Sequence, residues 1–334
     1  MQRNISLDLL KILSCFLICA MHTCTVIWNN DSINITNILY YTTTIAIPLF
    51  FIINGYLILG KKLNDNRYIL KKIYHIARII LLLNILLCAI YLIQGHEITI
   101  STPFIWSIKS LYIYAPYYFW QFWFLGSLVL IYFMFPLINY IYLKYNKTFI
   151  IISVILISTQ ILMDFFNIQK SLNNLNPLEA NIPLIFRLYS WLSYFMIGGL
   201  IKKYEQRIKI SLKLWTLVLL LGITLIYILT IRNIYIINHC EFYYNCPLII
   251  CLSTYIFIFT LKKQVNSQLT RIIRILSPTI MVVYIIHPYI IYQLAKYFTN
   301  PNLAIIYSFL VFFISSAIGL AATRVPIINK LLKI

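Results

Sequence analysis

The stretch from Arg3 to Trp28 constrains this chain most. After Asp8-Leu-Leu-Lys11 it is almost wholly apolar as far as Met21-His22-Thr23. A run that apolar is long enough to cross a bilayer. Asp8, Lys11 and His22 nevertheless sit inside it, and each costs free energy in lipid. On a helix, Lys11 and His22 lie close to three full turns apart, so they share one face at a separation of about 16 Å. Asp8 precedes Lys11 by three residues, a spacing at which the two can pair. A polar stripe of this kind must face protein or water, which points to a functional site inside a helical bundle.

The rest of the chain extends the same pattern. Of its 334 residues, 61% are hydrophobic and only 10% charged, too few charges for a soluble domain of this length. Apolar runs and breakers predict an all-α, polytopic membrane bundle of ten spans. These lie near 6–28, 36–59, 73–94, 119–142, 148–166, 183–201, 212–231, 246–261, 275–294 and 302–323. The eighth is short enough to be tilted or partly re-entrant. The first lacks an A-x-A-like cleavage site and reads as a retained span. No soluble domain, linker or internal repeat stands out, so residues 1–334 read as a single transmembrane domain.

Loop charge sets the expected orientation. Lys+Arg number 27 against 8 Asp+Glu. In a soluble protein that excess would suggest nucleic acid. Here the basic residues cluster at one set of connections, including Lys61, Lys62, Arg67, Lys71 and Lys72 after span two. Twenty basic residues fall on that side, the terminal segments included. The opposite connections hold four, together with Asp31, Glu97, Glu179 and Glu241. The asymmetry predicts that both termini are cytoplasmic. Lys11 then lies in the cytoplasmic half of span one, and His22 toward the outer surface.

Several residues in this frame carry chemistry. His22 is the candidate general base, since imidazole titrates near neutrality and can take a proton from a hydroxyl. The competing reading is a neutral buried histidine bonded to a neighbouring helix. His287, in Tyr284-Ile-Ile-His287-Pro288, should reach a similar depth, with Pro288 kinking or ending its helix. His75-Ile-Ala-Arg78 follows Lys71 and Lys72 at the cytoplasmic start of span three. Such a cation cluster suits a phosphate-rich cytosolic ligand such as coenzyme A, and equally a positive-inside anchor. Pro48-Leu-Phe-Phe-Ile-Ile-Asn54-Gly55-Tyr56 interrupts span two; within it Asn54 offers a polar side chain and Gly55 a close backbone approach, which helix–helix packing also explains.

The outward loop 95–119 is aromatic, with Trp106, Tyr112, Tyr114, Tyr117 and Tyr118, and Trp120 and Trp123 follow it. It reads mainly as an interfacial belt and secondarily as a sugar platform. The Asn-rich loop Ser171–Asn181 also faces outward and is a candidate acceptor entrance. Cys240 and Cys246 share an outward loop where a disulfide is permitted. Cys15, Cys19, His22 and Cys24 do not converge around one helix, so no metal site is expected.

Four segments, in order, resemble the membrane acyltransferase-3 family. Lys11 with His22 matches its basic-x10-His signature. Pro48-Leu-Phe-Phe-Ile-Ile-Asn54-Gly55-Tyr56 is similar to its Phe-Phe-x-x-Ser-Gly-aromatic segment, with Asn54 in place of Ser. Trp123-Phe-Leu through Tyr132 to Pro136, and Ser277-Pro-Thr279 with Tyr284-Ile-Ile-His287, resemble two further segments. The resemblance implies an integral-membrane O-acyltransferase of the bacterial inner membrane. It would move an acyl group, often acetyl in such proteins, from cytosolic acyl-CoA to a surface glycan or lipid-linked saccharide. His22 would match the family's catalytic histidine and Lys11 its paired basic residue, with Asp8 next to Lys11 in the catalytic set. His75 and Arg78 would match the family's Arg-x-x-Arg at the acyl-CoA, with Lys72 adjacent and His75 replacing the first Arg. His287, Tyr284, Asn54 and Trp123 would serve the substrate. Membrane lipid surrounds such a bundle, no nucleic acid is expected, and a homo-oligomer is left open. Two rival readings remain: a transporter or flippase of a glycan precursor, and a non-catalytic partner in polysaccharide assembly.

Overall fold

The computed structural model describes residues 4–27, 35–61, 66–112, 119–209, 211, 216–218, 220–222, 224, 240–326, 328 and 330. The expected seventh span, 212–231, lies mostly outside these residues. So do Arg3, Trp28, Asp31, Lys62, Tyr114, Tyr117, Tyr118, Lys213, Arg232 and Lys333, and the side chain of Cys240.

The described residues are helical, with no strand among them. Among the described residues seven helical stretches, Ile38–Ile58 and Ser267–Tyr297 included, are long and apolar enough to cross a membrane. The protein is therefore a multi-pass helical membrane protein. α1 (Ile5–Ile27) runs unbroken. Its sequence has no Gly or Pro, and the Asn4 side chain caps it by accepting from the Leu7 N–H at 3.2 Å. Ser14 and Thr23 donate to the carbonyls of Leu10 and Cys19, both at 2.8 Å, so neither hydroxyl is left unsatisfied within the bundle.

The second expected span is two helices, α2 (Ile35–Thr43) and α3 (Ala46–Ile58). Pro48 explains the break, because it offers no N–H to the Thr44 carbonyl one turn earlier. α4 (Asn66–Ile93) and α5 (Thr102–Lys109) follow. Next come α6 (Trp123–Lys144), α7 (Asn146–Leu172) and α8 (Leu188–Tyr204). α9 (Pro247–Lys262) is 16 residues, about 24 Å at helical rise and short of the bilayer core. The basic connection with Arg271 and Arg274 is itself a helix, α10 (Ser267–Leu276), capped by Asn266. α11 (Ile280–Leu294) and α12 (Ala304–Arg324) complete the bundle. Pro288 does not end α11: the helix passes through it to Leu294.

α1 stands at the centre, packed against α2, α3 and α9 to α12. Burial separates core from rim. The central apolar window is 61% buried in α1 but only 28% in α4 and 22% in α7, which turn most of their surface outward. α3 and α8 make the closest crossing. A Cβ on Gly55 would stand 1.8 Å from the Phe195 carbonyl oxygen, and one on Gly198 would stand 2.1 Å from that of Ile52. Two glycines thus let the backbones touch, as small residues do in membrane bundles. The atoms in the way are backbone and cannot rotate aside. Gly55→Ala should therefore cost at least about 1–3 kcal/mol. A lowered melting temperature on detergent size-exclusion checks this, and an unaltered one would refute the crossing.

Candidate functional site

Near its C-terminal end α1 carries His22 into a cavity of about 610 Å³. Trp120, Trp123, Tyr284, Arg187 and Glu241 are among its other walls. Trp120 meets His22 edge-on, with ring centroids 4.8 Å apart and planes at 84°. On another side His287 stacks against His22 at 5.4 Å and 23°.

His287 is fully buried behind His22 and does not itself line the cavity. Its Nδ1 lies 3.0 Å from the Val283 carbonyl oxygen. A carbonyl only accepts, so Nδ1 carries the proton and Nε2 presents a lone pair. That Nε2 makes no hydrogen bond among the described residues. Two segments distant in the chain therefore place one imidazole against another, and only His22 faces the cavity.

The turn Trp120–Phe122 is tied to α11 from both sides. The Tyr284 hydroxyl donates to the Gln121 carbonyl, and the Gln121 side chain donates to the Ile285 carbonyl at 3.1 Å. These bonds hold Trp120 over His22. Trp123 packs on Trp191 at 5.3 Å, and Trp191 stacks on Phe51 at 5.0 Å. Tyr112, Trp120 and Trp123 thus reach the cavity, whereas Trp106 packs on Tyr91 instead.

The opposite wall is polar. Glu179 is completely buried. Asn167 donates to its Oε2 at 2.8 Å, Asn245 donates to Oε1 at 2.7 Å, and the Tyr189 hydroxyl also donates to Oε1. Arg187 stands 4.0 Å from this carboxylate and 3.5 Å from that of Glu241. Its guanidinium also donates to the carbonyls of Ile182, Glu241 and Glu179 at 3.1, 2.9 and 3.0 Å. Ala180 and Asn181, in the Asn-rich segment, line the cavity next to it. Neither Arg187 nor the anchoring role of Glu179 was singled out from sequence. The available signal was an arginine on the side expected to be outward and poor in cations, where nothing in the orientation rule calls for one.

The candidates at the N-terminal end of α1 and the start of α4 form a separate group. Lys11 pairs with Asp8 at 3.3 Å, as the spacing predicts. Lys61 sits 3.3 Å from the centroid of the Tyr68 ring and Lys72 at 5.3 Å, and Lys72 lies within electrostatic range of Lys11 and Lys61. Arg78 donates to His75 Nδ1 at 2.9 Å. None of these residues lines the cavity at His22. Asn54 does not line it either: it accepts from the Tyr132 hydroxyl at 2.8 Å and donates to the Phe50 carbonyl at 2.8 Å, bracing α3 against α6. Cys246 is a free, buried thiol.

A family model described as an acyltransferase domain matches residues 4–324. The chain belongs to the acyltransferase-3 family. No curated protein and no solved structure matches it. Membership makes the protein a membrane acyltransferase, and it gives the cavity at His22 a chemical context.

Glu179 holds the polar wall together, so its loss should be felt well beyond its own site. Glu179→Ala leaves Arg187 with one carboxylate partner fewer and three side-chain donors unpaired. Breaking a buried pair in this way costs about 3–5 kcal/mol. Thermal denaturation in detergent should show a large fall in stability, and a shift within error would contradict the arrangement.

Proposed function

We propose that this acyltransferase is an O-acyltransferase, moving an acyl group, acetyl by preference, from cytosolic acyl-CoA to a saccharide hydroxyl at the outer face. The observation that carries the reading is a histidine opening on an aromatic-walled cavity at one end of α1, with a cation cluster at the other. In this reading one transmembrane domain spans residues 1–334, with ten spans and both termini cytoplasmic, in a bacterial inner membrane.

The donor's phosphates meet Lys72, Arg78 and their neighbours, where guanidinium and ammonium groups suit phosphate oxygens. The acyl thioester extends toward His22. His22 takes the proton of the acceptor hydroxyl, and the hydroxyl oxygen attacks the thioester carbonyl. The C–S bond breaks, and the departing sulfur receives the proton from the imidazolium. The products are an ester and free coenzyme A. Lys11, balanced by Asp8, helps charge-balance the donor. Tyr284 and Trp123 shape the acceptor side, His287 supports the His22 ring, and Asn54 acts through the α3–α6 contact.

The test supplies membranes with radiolabelled acetyl-CoA and the host's surface glycan. His22→Ala should reduce label in the glycan by about 10²–10⁴-fold, the usual contribution of a general base. Glycan moved across the membrane without acquiring label would favour a transporter instead. A second arm uses Lys72→Met together with Arg78→Met. These substitutions should raise KM for acetyl-CoA, and added salt should weaken donor binding by wild type more than by the variant. An unchanged KM would remove these residues from the donor site.

A further inference from the structure

The polar wall facing His22 has a sign. Among the described residues lining the cavity, Arg187 and Glu241 carry the formal charges. They are not equally available. The Arg187 side chain is 3% exposed and the Glu241 side chain 33%. The guanidinium is also spent: it donates to three backbone carbonyls and lies between two carboxylates. Glu179, one of the two, is sealed from the cavity. The wall therefore holds two negative charges against one positive. What a ligand meets is the carboxylate edge of Glu241, with the cation behind it.

A carboxylate edge accepts hydrogen bonds from hydroxyls, and Trp120, Trp123 and Tyr112 offer aromatic faces for the C–H side of a sugar ring. The same edge repels a uronate or a phosphorylated sugar, and at short range that repulsion is expensive. We infer that the outer cavity selects an uncharged saccharide, with Glu241 as the specificity-determining residue and Arg187 as the residue that positions it. This rests on the O-acyltransferase reading for the identity of the cavity as the acceptor site. The charge argument itself depends only on the wall.

The experiment separates the two. The full-length protein in detergent is titrated with matched oligosaccharides, a hexose member and its hexuronate counterpart, and likewise an N-acetylhexosamine member and its uronate. Binding is followed by quenching of tryptophan fluorescence, without donor. Acyl transfer from labelled acetyl-CoA is then measured with the same panel. Wild type should bind the uncharged member of a pair at least about tenfold more tightly. Glu241→Gln should shrink the ratio to within about threefold, and Glu241→Lys should reverse it. Glu241→Gln is near-isosteric, and size-exclusion shows whether each variant is folded. Equal or tighter binding of uronates by wild type overturns the inference. So does an unaltered ratio in folded Glu241→Gln, or no binding of any member. Binding of uncharged members without acyl transfer to any of them supports the inference and counts against the O-acyltransferase reading.

Discussion

The buried carboxylate of Glu179 is the interaction on which the half of the molecule around the cavity depends. A charge withdrawn from water is tolerated only when its lone pairs are satisfied. Glu179 is satisfied by α7 through Asn167, by α8 through Tyr189, and by the turn before α9 through Asn245. Its own backbone carbonyl then accepts from Arg187. One carboxylate thus fixes the mutual position of two helices, the segment between them and the turn that brings Glu241 to the cavity. A network of this kind is costly when incomplete, which gives it geometric specificity.

The inner wall is built differently. His22, Trp120, His287 and Tyr284 meet through ring contacts, with the Gln121 turn hydrogen-bonded to α11 across them. Ring faces and edges set orientation without demanding charge. The His22 imidazole is therefore held by packing at the wall of the cavity. His287, with Nδ1 committed to a carbonyl, supplies a second imidazole of defined tautomer directly behind it.

The cation group is shared between Lys11 on α1 and Lys72, His75 and Arg78 on α4, while the cavity at His22 lies near the other end of α1. Between them α3 and α6 are braced by the Asn54–Tyr132 bond, and Phe50 and Phe51 pack against Phe124 at the cavity wall. The proposed reaction requires the donor's arm to reach from the cation group to the cavity at His22.

The sequence by itself determined the class of molecule and the content of α1. Apolar length forces a helical membrane protein, because unpaired backbone groups are not tolerated in lipid. Helical periodicity alone places Asp8 beside Lys11 and His22 on their face, since those relations are local to one helix. The break at Pro48 is local in the same sense. Only the tertiary structure decided that His287 stacks on His22, that Asn54 bonds Tyr132, that Gly55 lies against Phe195, and that Arg187 sits between two carboxylates. In a bilayer protein the lipid-facing and core-facing sides of a helix are both apolar, so hydropathy carries little information about rotation. Contacts between helices depend on that rotation and on relative depth, and these are settled only when the helices pack.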